Sequence, residues 1–177
     1  NNIDKDFFSR DDIKPSLDNI KNSISDCMKN TGNDALELIG IQGGYYQKPL
    51  ESFDLGWAFI PYYYNQGKFS NPSKQDIENQ LSLYVDDNLK LCVDNINKND
   101  FNIAYSNSKT KTTINKGEVK FLIDNLVSIS KDGKSTKLEL KNSPVMQNSK
   151  LFEILEVANY ITDSHKDDPD MICINCI

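Results

Sequence analysis

The stretch that decides the fold is residues 38–67, which read LIGIQGGYYQKPLESFDLGWAFIPYYYNQG. It lies between two helical patterns and holds eight of the chain's 17 aromatic residues, namely Tyr45, Tyr46, Phe53, Trp57, Phe59, Tyr62, Tyr63 and Tyr64. A segment this aromatic is not a solvated linker, because so many rings must be either buried against the fold or presented to a partner. The choice between these two roles is the functional question that the sequence raises.

The segment before this stretch has the spacing of one long amphipathic helix. From Asp12 onward apolar positions recur every three or four residues, at Ile13, Leu17, Ile20, Ile24, Cys27, Met28, Thr31, Ala35 and Leu38. Pro15 suits the first turn of this helix, because the N–H that proline lacks is unpaired there in any case. Gly40 or the pair Gly43 and Gly44 is expected to end it.

The segment after the aromatic stretch predicts a second helix over residues 73–96. Ser73 and Asp76 have the spacing of a helix cap, and apolar residues follow at Ile77, Leu81, Tyr84, Val85, Leu89, Cys92 and Ile96. Each helix therefore carries one cysteine on its apolar stripe. If the two stripes pack antiparallel, Cys27 and Cys92 face each other, and we predict a disulfide between them.

Between residues 101 and 140 the apolar period changes from 3.6 to 2. Short segments rich in β-branched residues run over 101–105, 110–114, 119–123, 126–130 and 135–140, with turn signals at 116–117, 124–125 and 132–133. A third helix is expected to begin after Asn148 or Ser149 and to end in the polar run TDSHKDDPD. The predicted fold is α+β, with two long helices and a C-terminal helix packed on an antiparallel meander sheet.

The composition favours one soluble domain. A chain of 177 residues with 38% hydrophobic residues is long enough for a single core, and we expect a flexible arm over residues 1–11 and one domain over residues 12–177. The 26 acidic residues outnumber the 20 basic ones, so a nucleic-acid backbone would be repelled. No apolar run approaches the ~20 residues that cross a bilayer.

Candidate chemistry is sparse. Cys173 and Cys176 form a C-x-x-C pair, which is the pattern of thiol-disulfide enzymes, but no βαβ pattern surrounds it, and a structural disulfide or buried thiols are favoured. His165 lies in a run polar enough to be solvated just past a helix end. No metal site or cofactor motif is found, since a structural zinc needs four ligands and His165 is the single histidine.

The aromatic side chains are the better candidates for a binding site. Rings in the loop 45–69 would form a stacking platform for sugars or a patch for a protein, through Tyr45, Tyr46, Trp57, Tyr62, Tyr63 and Tyr64. The alternative, which we favour at this stage, is that most of these rings cover the crossing of the two long helices, with Trp57 mostly buried.

Several stretches taken together carry a resemblance: ALELIGIQGGYY after a helical Cys, IPYYYNQG, PSKQDIENQLSLYVDDNLKLCV and DPDMICINCI. They resemble an uncharacterised, widespread family of membrane-anchored archaeal proteins from small-genome lineages, over nearly all of residues 24–177. Members of that family begin with a short cytoplasmic tail and one apolar helix, somewhat like a type IV pilin stem, followed by an extracytoplasmic domain. This chain lacks the stem, and family members continue past the Cys pair, so we expect it to be trimmed at both ends.

The resemblance implies an external domain and carries no activity, substrate or catalytic residue. We therefore expect an extracytoplasmic, cell-surface domain that acts by binding or assembly, leaning away from catalysis. Its expected partner is a protein or a glycan of the envelope, and its expected contact with the membrane is through the N-terminal anchor that this chain lacks. The alternatives are a thiol-disulfide protein that uses Cys173 and Cys176, and a carbohydrate-binding module that uses the loop 45–69.

Overall fold

The computed structural model describes residues 14–96, 100–168 and 170, and it confirms the α+β class. The described helices are α1 (Lys14–Ile41), α2 (Lys74–Asp94) and α3 (Leu151–Asp167). None of the helices in these ranges is both long and apolar enough for a membrane span. The predicted arm over residues 1–11 and the pair Cys173 and Cys176 lie outside the described residues.

Helices α1 and α2 pack against each other through the predicted apolar stripes. Their buried side chains include Leu17, Ile20, Ile24, Ala35 and Ile39 from α1 and Ile77, Leu81, Val85, Leu89 and Val93 from α2. The predicted disulfide between Cys27 and Cys92 is confirmed, with the two Cα atoms 5.7 Å apart. The predicted cap of α2 is confirmed as well, because Ser73 and Asp76 form a reciprocal capping box.

Six strands form two three-stranded antiparallel sheets within the described part of the chain. The first has the order β10–β7–β6, from Val145–Asn148, Glu118–Asp124 and Lys109–Asn115. The second has the order β5–β8–β9, from Asn102–Tyr105, Leu126–Lys131 and Lys134–Glu139. Hairpins β6–β7 and β8–β9 match the predicted strands and turns, whereas strand β10 was not anticipated.

The predicted single meander differs from this arrangement at Asn125, where the chain passes from one sheet to the other. Asn125 is buried, its amide donates to the Ser106 carbonyl at 2.6 Å, and its own carbonyl accepts from the Leu140 N–H at 3.0 Å. These contacts hold the corner, so β8 leaves β7 and pairs with β5 instead. A turn signal in the sequence does not distinguish a hairpin from such a corner.

Helix α2 covers the outer edge of strand β6 with three side chains. The backbone N–H groups of the strand donate to side chains of the helix. The Thr110 N–H donates to Asp86, the Thr112 N–H donates to Ser82, and the Ile114 N–H donates to Glu78. Four residues rise ~6.0 Å along a helix, and two residues rise ~6.8 Å along a strand. Every fourth residue of α2 therefore lies opposite every second residue of β6. We call this set the helix–edge ladder; it satisfies edge donors that would otherwise invite another strand.

Helix α3 runs further than predicted. The N–H of its first residue, Leu151, donates to the Ser149 hydroxyl at 3.1 Å. The helix continues to Asp167, and the ion pair between Lys166 and Asp163, three residues apart, stabilises its last turn. His165 therefore lies in the last helical turn, and the prediction that it follows the helix end is wrong.

Candidate functional site

The aromatic stretch folds into two short hairpins. We call residues 50–62 the aromatic hairpin; its strands are β1 (Ser52–Asp54) and β2 (Phe59–Pro61), closed by a bond from the Leu55 N–H to the Ala58 carbonyl at 2.8 Å. The small hairpin follows directly, with strands β3 (Tyr64–Asn65) and β4 (Lys68–Phe69). Both hairpins lie between the end of α1 and the start of α2.

The base of the aromatic hairpin is fixed to the C-terminal end of α1. Phe59 and Ala58 are buried, and the Tyr63 hydroxyl donates to the Gly43 carbonyl at 2.8 Å. Pro61 lies so close to Gly43 that a Cβ there would be 2.8 Å from its ring, and Gly43 has a φ of +56°. Only glycine combines this torsion with this approach, so the hairpin leaves the helix end at a fixed place.

Three of the predicted binding rings are turned into the fold. Tyr45 donates to the Ser70 carbonyl, and Tyr46 packs edge-on against the Tyr84 ring, with centroids 5.2 Å apart. Burial raises the pKa of Tyr63 above its ordinary value. Tyr45, Tyr46 and Tyr63 therefore hold the loop to the helices, as the alternative reading of the sequence proposed.

The outer face of the aromatic hairpin is apolar and exposed. Phe53 and Ile60 are directly opposite each other on the two strands and are 53% and 51% exposed. Because side chains alternate between faces, Leu55 and Tyr62 join them on the same side, and both are exposed. We call these four residues, with Leu50 beside them and Trp57 at the tip, the hairpin face.

Trp57 is 76% exposed, so the prediction that it is mostly buried is wrong. It occupies the tight turn between Leu55 and Ala58, where the chain reverses and its side chain leaves the strand faces. The buried ring of this hairpin is the one two residues later, Phe59. Aromatic content predicted that some rings are buried, whereas the register of the hairpin determined which ones.

A groove runs between the small hairpin and helix α3. Its apolar walls are formed by Tyr64 and Phe69 on one side and by Ala158 and Ile161 on the other, and its volume is about 310 Å³. The rings of Tyr64 and Phe69 are 4.7 Å apart, and the Lys166 ammonium lies 5.2 Å from the centre of the Phe69 ring. We call this the apolar groove.

Three of the seven large exposed apolar side chains in the two hairpins were among the candidates from the sequence. Trp57, Tyr62 and Tyr64 are exposed as a binding role requires, but Leu50, Phe53, Leu55 and Ile60 were not among the candidates. The signal that could have found them is the alternation of apolar residues on both sides of Leu55-Gly56-Trp57-Ala58, which is a turn between two short strands.

A larger groove of about 570 Å³ lies between α2 and β6 and is polar. Its lining includes the three ladder side chains Glu78, Ser82 and Asp86, which already accept from the N–H groups of the strand edge. Since these groups are already satisfied, this groove is a structural feature of the fold. Across residues 14–96, 100–168 and 170, no three His, Cys, Asp or Glu side chains gather as a metal site would require.

Comparison with protein-family models, with curated proteins and with solved structures finds no match. The family resemblance described above therefore stays a prediction. The hairpin face brings six exposed apolar side chains together on one hairpin, and such a patch is typical of an interaction site.

Proposed function

We propose that this chain is an extracytoplasmic domain of a membrane-anchored envelope protein that binds a protein partner through the hairpin face. The observation that carries the proposal is the row of exposed apolar side chains on a hairpin whose base is fixed. Aromatic anchors that are large, exposed and held by a rigid scaffold are the residues that dominate binding energy at protein interfaces.

The composition of the face favours a protein over a sugar. Half of its six members are aliphatic. A sugar site needs polar groups beside the stacking ring to hydrogen-bond the sugar hydroxyls, and aliphatic side chains have no such groups. The nearby carboxylates are also engaged: Asp54 by Lys48 and the Gly56 N–H, and Glu51 by the Asn65 amide. The Lys48 ammonium is the main cause of the lowered pKa of Asp54. A dry protein surface matches this chemistry better than a glycan does.

The Cys27–Cys92 disulfide supports the proposed compartment. Disulfides persist in oxidising environments such as the cell exterior and are reduced in most cytosols. It joins the buried Cys27 of one helix to the partly buried Cys92 of the other, where it stabilises the packing of the two helices. The membrane anchor is proposed from the resemblance alone.

Photocrosslinking tests the proposal. Phe53 is replaced by p-benzoylphenylalanine in disulfide-intact protein, which is then irradiated in an envelope extract of the encoding organism. The matched control carries the same group at Leu91, which is also exposed but lies roughly 25 Å along α2 from the helix start that follows the two hairpins. We expect a protein adduct at Phe53 and none at Leu91. Equal labelling at both positions, or adducts with glycan or lipid alone, would contradict the proposal.

A further inference from the structure

We propose that the partner is a second copy of this chain, with the hairpin face of one protomer seated in the apolar groove of the other across a two-fold axis. This inference rests on the proposed function and specifies its partner. The two features are adjacent along the chain, since residues 50–62 form the hairpin and the segment that follows it supplies Tyr63, Tyr64 and Phe69 to one wall of the groove.

A protruding face and a receiving groove that lie side by side make a self-complementary patch. In a two-fold dimer the same patch is used twice, so each hairpin meets the groove of its partner and both contacts form together. The alternative of a head-to-tail contact would leave one hairpin and one groove open at the ends. The adjacency of the two features therefore favours a closed dimer.

The sizes of the two surfaces agree with a stable dimer. With large side chains of ~150–250 Å² each, the six members of the hairpin face expose roughly 700 Å². A standard interface buries about 800 Å² on each partner, to which the walls of the groove would also contribute. The groove volume of about 310 Å³ lies at the lower end of the range for ligand pockets, so one large ring such as that of Trp57 fits.

The charges at the rims of the two surfaces are opposite. Glu51 lies two residues before Phe53 and so on the same side of its strand, whereas Lys166 borders the groove, 5.2 Å from the centre of the Phe69 ring, with His165 in the groove wall. Lys166 pairs with Asp163 on its own helix and leaves further donors of its ammonium group for an acid of the partner. Such rim charges orient two surfaces and speed their association.

Sedimentation equilibrium of the disulfide-intact protein over a wide concentration range tests this dimer. We expect a monomer–dimer equilibrium whose Kd rises by roughly 30-fold or more in Trp57→Ala, the loss expected of a central hot spot. Ala158→Arg fills the groove and should have a similar effect, whereas Leu91→Ala should leave the Kd unchanged. Tyr64→Ala removes one groove wall without adding a charge and replaces Ala158→Arg if far-UV circular dichroism shows that variant to be unfolded.

Mixing the two kinds of variant gives the sharpest result. Trp57→Ala retains its groove and Ala158→Arg retains its hairpin, so the mixture should form a heterodimer with one intact contact at a concentration where each variant alone is a monomer. A wild-type monomer at every concentration, or a groove variant that dimerises like the wild type, would overturn the inference. If the wild type is a monomer but Phe53 still crosslinks to another protein, only self-association fails; if Phe53 also gives no adduct, the proposed function fails with it.

Discussion

Removing the Asp86 carboxylate should destabilise the protein far more than removing its neighbour Asp87. Asp86 accepts three hydrogen bonds, from the Ser108 hydroxyl at 2.8 Å, the Thr110 hydroxyl at 2.7 Å and the Thr110 N–H at 3.2 Å. Asp87 is exposed and takes no part in the helix–edge ladder. Both residues lie on α2, so helix propensity cancels in the comparison.

The magnitude follows from the groups that Asp86→Ala leaves behind. The variant leaves the two hydroxyls without their acceptor, and the Thr110 N–H, which lies on the outer edge of β6, then has only the water that enters the adjoining groove. Hydrogen bonds to charged groups contribute about 1.5–3 kcal/mol each and add incompletely, so we expect the free energy of unfolding to fall by about 3 kcal/mol. Asp86→Asn keeps one acceptor oxygen and should lose about half as much.

Urea unfolding followed by far-UV circular dichroism measures the difference. Tryptophan fluorescence is unsuitable, because the single tryptophan, Trp57, is exposed and reports on the hairpin tip. With a slope of ~2 kcal/mol/M, a loss of 3 kcal/mol lowers the midpoint by about 1.5 M. Asp87→Ala should stay within about 0.3 M of the wild type, since exposed charges contribute little. Equal midpoints for the two variants would refute the role assigned to the ladder.

The remaining predictions concern the disulfide, two glycines and one cap. Replacing Cys27 and Cys92 together by alanine should lower the free energy of unfolding by about 4 kcal/mol, which is the chain-entropy value for closing a loop with a sequence separation of 65. Urea unfolding without reductant measures this loss. An unchanged urea midpoint would show that the disulfide does not stabilise the fold. Gly40 has open space around it, so Gly40→Ala should raise the free energy of unfolding by up to ~1 kcal/mol and with it the melting temperature. Gly44→Ala should lower the melting temperature, because the φ of Gly44 is +90° and an added Cβ would lie 3.0 Å from Ile77. A change of the same sign in both variants would be inconsistent with this packing. Hydrogen bonds from Ser73 lower the pKa of Asp76 below its ordinary 3.8. The ionised Asp76 therefore stabilises the fold at neutral pH, and this contribution is lost as the pH falls through the lowered pKa. The difference in the free energy of unfolding between wild type and Asp76→Asn should close in that acid range, and a difference that persists there would contradict the assignment.

Local signals in the sequence determined the helices and most of the strands. The stripes that contain Cys27 and Cys92 have a helical period, and a helix must bury such a stripe, so the pairing of α1 with α2 and the disulfide between them followed from spacing alone. The capping box of Ser73 and Asp76 and the turn at Asp132-Gly133 are equally local, because each depends on residues within four positions of one another.

The contacts between distant segments were decided only by the tertiary structure. The sequence around Asn125 predicts a turn, yet Asn125 forms a corner between two sheets. Its side-chain amide donates to the Ser106 carbonyl, and its backbone carbonyl accepts from the Leu140 N–H. Gly32 reads as a weak point of α1, yet a Cβ there would lie 3.1 Å from the Phe121 ring, so its small size makes room for the core. Trp57 and Phe59 are both aromatic, and the sequence by itself determined that this stretch is rich in rings. Which of the two is exposed depends on the register of one hairpin, and that register is set by Pro61 and Tyr63 packing on Gly43, about 20 residues away along the chain.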